Sequence, residues 1–272
     1  MGQLAHTLPE GRPVCGVTLL AGEIYLLRPK GGRDQVEVYN VVTYRFQRYL
    51  SVPNARGFID MTSCEHNRCM YISDHSGECI HRLDVQGAVT RWTVNDKPWG
   101  ISVNAARNVI VTCDVGGNIK EFNSHGVFVR ELPHDVIKPC HAIQTRSGRF
   151  IVCHGGRGDP VNSVCMLSDD GRHIVYPHRR QPGSDTGQYD EPYHLAVDDN
   201  EFVFVVDVIN RRVTLLSPTL KYVRHVVSRD QLKWRPSRLY LDRQRRQLYV
   251  TDNEWNDEHN TSTVGRVVVF SV

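Results

Sequence analysis

The chain has 272 residues, with 33 lysines and arginines against 30 aspartates and glutamates, a formal net charge of +3 and a pI of about 8.4. That balance excludes both a strongly basic nucleic-acid-binding chain and an acidic, solvating one. No apolar run approaches the roughly 20 residues of a membrane span, and the N-terminal stretch MGQLAHTLPEGRPVCG contains no apolar signal core. A cytoplasmic location without membrane contact is expected.

In chain order, residues 1–12 fit no repeat, although Gln3–Leu8 could form a strand. From Pro13 onward a short anchor recurs: Pro13-Val14-Cys15-Gly16, Ala55-Arg56-Gly57-Phe58, Pro98-Trp99-Gly100-Ile101, Pro139-Cys140-His141-Ala142, Pro192-Tyr193-His194-Leu195 and Pro236-Ser237-Arg238-Leu239. A second apolar run follows each anchor, and four of these six runs close on aspartate, at Asp74, Asp114, Asp207 and Asp252. Apolar residues on both faces of these runs suit sheets sandwiched between neighbours. The fifth unit is the clearest: Tyr193–Val197, Phe202–Val206, Arg212–Leu216 and Tyr222–Val227 alternate like strands and are parted by turn residues.

Four strands in a repeat of about 40–45 residues define a β-propeller blade. The expected fold is all-β: a six-bladed propeller of four-stranded blades, with residues 1–272 forming one domain. The last unit is one strand short, so Gln3–Leu8 is expected to supply its outer strand and close the ring, which removes exposed edges. Loops 155–162, 178–191 and 253–265 are polar and carry glycine or proline, as surface insertions do.

Of the eight cysteines, Cys113 and Cys153 lie inside apolar runs, and no CxxC pair occurs. Reduced, structural thiols are expected. The sequon at Asn260 stands alone as a hint of secretion, and Arg157-Gly158-Asp159 reads as a turn.

The fifth unit, P-x-H-L-A-V-D followed by V-D-x-x-N-R-R-V, resembles the NHL repeat. Pro98–Val103 matches the first half of that pattern and Asp207–Val213 the second, whereas Asp74, Asp114 and Asp252 lack the following asparagine. The chain is most similar to the C-terminal NHL propellers of tripartite-motif (TRIM) ubiquitin ligases. That resemblance implies a substrate- or RNA-recognition domain, with any ligase activity in domains absent here.

Anchor loops and aspartate-bearing loops emerge on one side of an antiparallel blade, so the residues after each anchor proline are expected to ring one channel mouth. Arg56, Trp99, His141, Tyr193, His194 and Arg238 are the candidate binding residues. Aromatic rings stack on bases or pack on apolar groups, and arginines hold phosphate or carboxylate. The charges on that side are mixed in sign, which does not favour RNA over protein. For any one of these residues, packing between blades is an equally good reading.

The expectation is therefore a non-catalytic module for a protein or RNA partner, with no cofactor. The alternative is a metal-dependent propeller enzyme, a lyase or a lactonase-type hydrolase. His141 and His194, with Cys15 or Cys140, would hold zinc, which needs three protein ligands. Against calcium, the anchor ring as aligned contains no carboxylate.

Overall fold

The computed structural model describes residues 1–29, 35–156, 158–176, 182–256 and 261–272. Six four-stranded antiparallel sheets are arranged as a propeller. The innermost strands are Gly16–Leu20, Phe58–Cys64, Pro98–Val103, Pro139–Gln144, Pro192–Val197 and Arg235–Asp242, and each touches its two neighbours around the ring. Among the described residues, no helix is long and apolar enough to cross a membrane.

Burial follows from the layering. Second strands such as Cys69–Asp74 and Val203–Asp207 are buried along their whole length, because a blade covers each of their faces. Outer strands such as Phe46–Ser51 and Phe128–Glu131 are half-buried or exposed. The buried apolar side chains gather into six clusters, one at each contact between adjacent blades. None of the eight cysteines is disulfide-bonded, and six of them are buried.

The ring closes as the sequence implies. Gln3–Thr7 pairs antiparallel with Gly265–Ser271 as the outer strand of the sixth sheet, with a bulge between Leu4 and His6. Just beyond it, Leu8 is completely buried between the sixth and first blades. On the channel side, the Asn253 side chain receives the Val14 N–H at 2.9 Å and donates to the Val14 carbonyl at 2.9 Å. Arg28 stands buried at this seam, where its guanidinium donates to the carbonyls of Pro9, Arg12 and Gly265 and pairs with Glu37.

Two alignments of the repeat need correction. In the second blade Phe58 pairs with Asp74, as Pro192 pairs with Asp207 and Pro236 with Asp252. The anchor is therefore Phe58, not Ala55: a bulky apolar residue has taken the place of proline. In the first blade Gly16 pairs with Leu27 as His194 pairs with Val206, which moves that anchor from Pro13 to Val14. Of the three expected insertions, residues 157, 178–181 and 257–260 lie outside the described residues, as do Lys30 and Arg33.

Removal of residues 1–12 strips the outer strand and Leu8 and leaves the sixth sheet with an open edge. Losing a fully buried leucine alone costs about 2–5 kcal/mol, so the truncated chain should melt at least about 5–10 °C lower. Calorimetry showing an unchanged melting temperature would refute strand-mediated closure.

Candidate functional site

With the register corrected, the second residue after each anchor forms a ring around the axis: Gly16, Asp60, Gly100, His141, His194 and Arg238. Gly100 has no room for a side chain, since a Cβ there would lie 2.9 Å from the His141 ring. The two glycines leave space in which the four larger side chains meet, and all four are at least nine-tenths buried.

Asp60 is the centre of this cluster. Its Oδ1 accepts the Met61 N–H at 2.9 Å and lies 3.1 Å from Arg238 Nε. Its Oδ2 accepts the Ile101 N–H at 3.0 Å and faces His194 Nε2 at 3.4 Å and His141 Nε2 at 3.9 Å. The two imidazoles are stacked with centroids 3.9 Å apart. Arg238 donates through Nη1 to the Ser237 carbonyl and through Nη2 to that of Ile59. His141 Nε2 donates to the Ile101 carbonyl at 3.2 Å.

The protonation states follow from these surroundings. Burial alone would raise the Asp60 carboxyl, but His194 and Arg238 outweigh it and bring the group down to about 2. Burial, and then the neighbouring His194, hold His141 well below the usual histidine range, and burial lowers His194 as well. At neutral pH the cluster is a carboxylate–guanidinium pair beside two uncharged imidazoles. Among the described residues His141 Nδ1 and His194 Nδ1 have no hydrogen-bond partner, and His194 Nε2 has only the Asp60 carboxylate at 3.4 Å.

The cluster is closed on the anchor side and open on the other. Trp99 and Tyr193 come from the third and fifth blades yet meet edge-on at 6.1 Å, so together they bridge the mouth. Arg238 stacks on Tyr193 at 4.5 Å, and His75 packs edge-on against Trp99 at 5.5 Å. From the opposite face a cavity of about 840 Å³ runs between the innermost strands to His141 and His194. Val17, Met61, Ile101 and Ile143 line its wall, and Arg243, Arg245, Asp199 and Glu65 stand at its rim.

Of the six candidate residues, the structure brings five together: Trp99, His141, Tyr193, His194 and Arg238. Arg56 is not in the ring. It lies in the loop before Phe58, exposed, with its N–H bound to Asp74 Oδ2. Ring positions assigned to Cys15 and Gly57 belong to Gly16 and Asp60, so the ring does contain a carboxylate, the residue that sequence reasoning missed. Measuring back from Asp74 by the interval that separates Asp252 from Pro236 lands on Phe58, two residues before Asp60, and would have found it. The aspartates that close second strands are structural: Asp74, Asp207 and Asp252 are buried and accept N–H groups from their incoming loops. They, and the buried Arg28, drop out of the surface charge expected on the anchor face.

No protein-family model and no curated protein matches the sequence. Solved structures do match in fold. The PQQ-bound aldose sugar dehydrogenase of Streptomyces coelicolor is similar at 12% identity and a TM-score of 0.72, over 99% of this chain and 98% of that one. A catalytically inactive histidine-to-alanine variant of virginiamycin B lyase from Staphylococcus aureus, with quinupristin, is similar at 12% identity and a TM-score of 0.65, over 100% and 98%. A chain of the nidogen–laminin complex is similar at 11% identity and a TM-score of 0.61, over 80% and 81%. At these identities the likeness is one of fold: a six-bladed propeller whose relatives in architecture include enzymes.

Replacing Asp60 by asparagine strands the buried Arg238 guanidinium, which should cost about 3–5 kcal/mol. The double variant Asp60→Asn with Arg238→Leu should be more stable than Asp60→Asn alone, because the uncompensated charge is gone. Denaturant melts of the wild type, both single variants and the double variant measure that coupling; simple additivity would show that the pair is not the link across the channel.

Proposed function

We propose that the chain is a channel-centred propeller enzyme of lyase or hydrolase type, with its chemistry at Asp60, His141 and His194. The observation that supports this most is the set of ring nitrogens without partners, buried at the blind end of a large cavity. Leaving a buried polar atom unpaired costs about 1–3 kcal/mol; His81 Nδ1 bears that cost too, but His141 and His194 bear it where a cavity reaches them. Unpaired lone pairs on uncharged imidazoles are what proton abstraction or capture of an electrophile needs. Asp60 stands beside His194, Arg238 balances the carboxylate, and the cavity, walled by both polar and apolar side chains, gives access from solvent. That the virginiamycin B lyase variant is a catalytically inactive histidine-to-alanine variant is in keeping with histidine chemistry on this fold, although the residues proposed here rest on their own geometry.

A second reading keeps the anchor face as a docking surface, as the NHL and TRIM resemblance implies. Its support is apolar exposure: Val115 and Ile137 are 72% and 75% exposed beside the groove between the third and fourth blades. Such a surface suits a protein partner, not RNA. Ile137→Asp would abolish a contact of that kind without lowering the melting temperature. Affinity would vary little with salt, whereas RNA affinity would fall steeply.

The catalytic reading is tested first through stability, without a substrate. His194→Leu removes unpaired buried polar atoms at similar volume, so it should raise the melting temperature, by roughly 1–2 kcal/mol of stability. A clear fall would make His194 structural and sink the reading. A panel of lactones, esters and cyclic depsipeptides then tests turnover, which His194→Ala should reduce by roughly 100-fold or more. Turnover that survives this substitution would place the chemistry elsewhere.

A further inference from the structure

Asp60, His141 and His194 each offer one donor atom, and the three atoms lie within 4.8 Å of one another. We propose that they hold a single divalent cation of the zinc class, with the coordination position on the cavity side left for water or substrate. The inference rests on the channel centre being the functional site and adds the group that would act there.

Four observations carry it. The first is the unmet demand of the donors: among the described residues the Nδ1 atoms of His141 and His194 are buried without partners, His194 Nε2 has only the Asp60 carboxylate at 3.4 Å, and a cation would satisfy the lone pairs among them. The second is donor chemistry. Two imidazoles and a carboxylate form a recognised zinc set, in which three protein ligands leave a fourth position open. The third is spacing: His194 Nε2 and Asp60 Oδ2 are 3.4 Å apart, which is about the edge of a tetrahedron with metal–ligand bonds of ~2.1 Å.

The fourth is the surrounding shell. Metal-binding histidines usually donate their second N–H to a carbonyl or carboxylate, and ligating carboxylates are themselves hydrogen-bonded. Here His141 donates from Nε2 to the Ile101 carbonyl. Asp60 is held by the Met61 and Ile101 N–H groups and by Arg238, the latter on Oδ1, the oxygen turned away from the imidazoles.

One other cluster among the described residues has comparable spacing: Asp74, Cys79 and His81. It differs in a decisive way. The Asp74 carboxylate already accepts the N–H groups of Arg56, Gly57 and Gly77 together with His81 Nε2, and the cluster does not line the channel cavity. It serves as a structural staple between its strand and the incoming loop.

The experiment uses the full chain, stripped with a chelator and freed of any affinity tag, titrated with Zn²⁺ by calorimetry and with Co²⁺ by visible absorption. One equivalent should bind, Co²⁺ should develop d–d bands of a low-coordinate site, and saturating Zn²⁺ should raise the melting temperature by mass action. His141→Ala and His194→Ala keep the Asp60–Arg238 pair and so remain folded; each should weaken binding at least tenfold. Absence of stoichiometric binding, or binding unchanged in the double histidine variant, overturns the ion. The outcome is separable from the catalytic reading. Turnover by chelated protein would overturn the ion and keep the enzyme, whereas binding without turnover on any panel substrate would keep the ion and sink the enzyme.

Discussion

A carboxylate withdrawn from water must recover its lost hydration from fixed donors, and the way Asp60 does so ties the molecule together. Its two oxygens receive backbone N–H groups from the second and third blades, face imidazoles from the fourth and fifth, and pair with a guanidinium from the sixth. Five of the six blades thus meet at one side chain. Since blade orientation decides how closely the innermost strands approach the axis, this contact and the closure of the ring depend on each other. The first blade contributes only Gly16, where a Cβ would lie 2.7 Å from the Met61 side chain. Its share of the constraint is to stay out of the way.

The same chemistry recurs at the rim with a structural purpose. Asp74, Asp207 and Asp252 accept the N–H groups of their incoming loops, and Asp207 and Asp252 also pair with Arg212 and Arg266. The first blade reverses the arrangement: Arg28 stands at the position that Asp74, Asp207 and Asp252 hold in their blades and donates to carbonyls of the N-terminal segment and of Gly265. The reversal follows from topology. The segment that reaches this seam brings carbonyls from a chain that has just left the sixth sheet, so a donor is needed where the other blades need an acceptor.

The fold was legible because its signal is redundant. Six anchors, six buried second strands and one orphan strand at the N-terminus each point to the same ring, and a slip of one or three residues in two anchors changed none of it. The site is different, because each of its residues occurs once. His141, His194, Tyr193, Trp99 and Arg238 followed from proline-marked anchors. Asp60 did not, because Phe58 replaces proline and nearby Ala55-Arg56-Gly57 imitates the motif. A three-residue slip was enough to promote an exposed arginine and to hide the carboxylate on which the others converge. Sequence also could not reveal which side of the channel is open, since that is decided by Trp99 and Tyr193 meeting across an intervening blade.

Likeness of fold and placement of the site carry different weight here. At 11–12% identity the neighbours share an architecture and no inferable chemistry. What separates the channel centre from ordinary packing is internal to this chain. Several buried polar groups near the axis are satisfied: Ser73 and Thr112 donate to carbonyls of the next blade, and Asn253 bonds Val14 in both directions. The fold therefore has the means to satisfy polar atoms near the axis and does so repeatedly. At His141 and His194 it leaves nitrogens unpaired and stacks the two rings beside a cavity that ends on them. Stacked, uncharged imidazoles that face a cavity beside an ion-paired carboxylate are what set the channel centre apart from those groups.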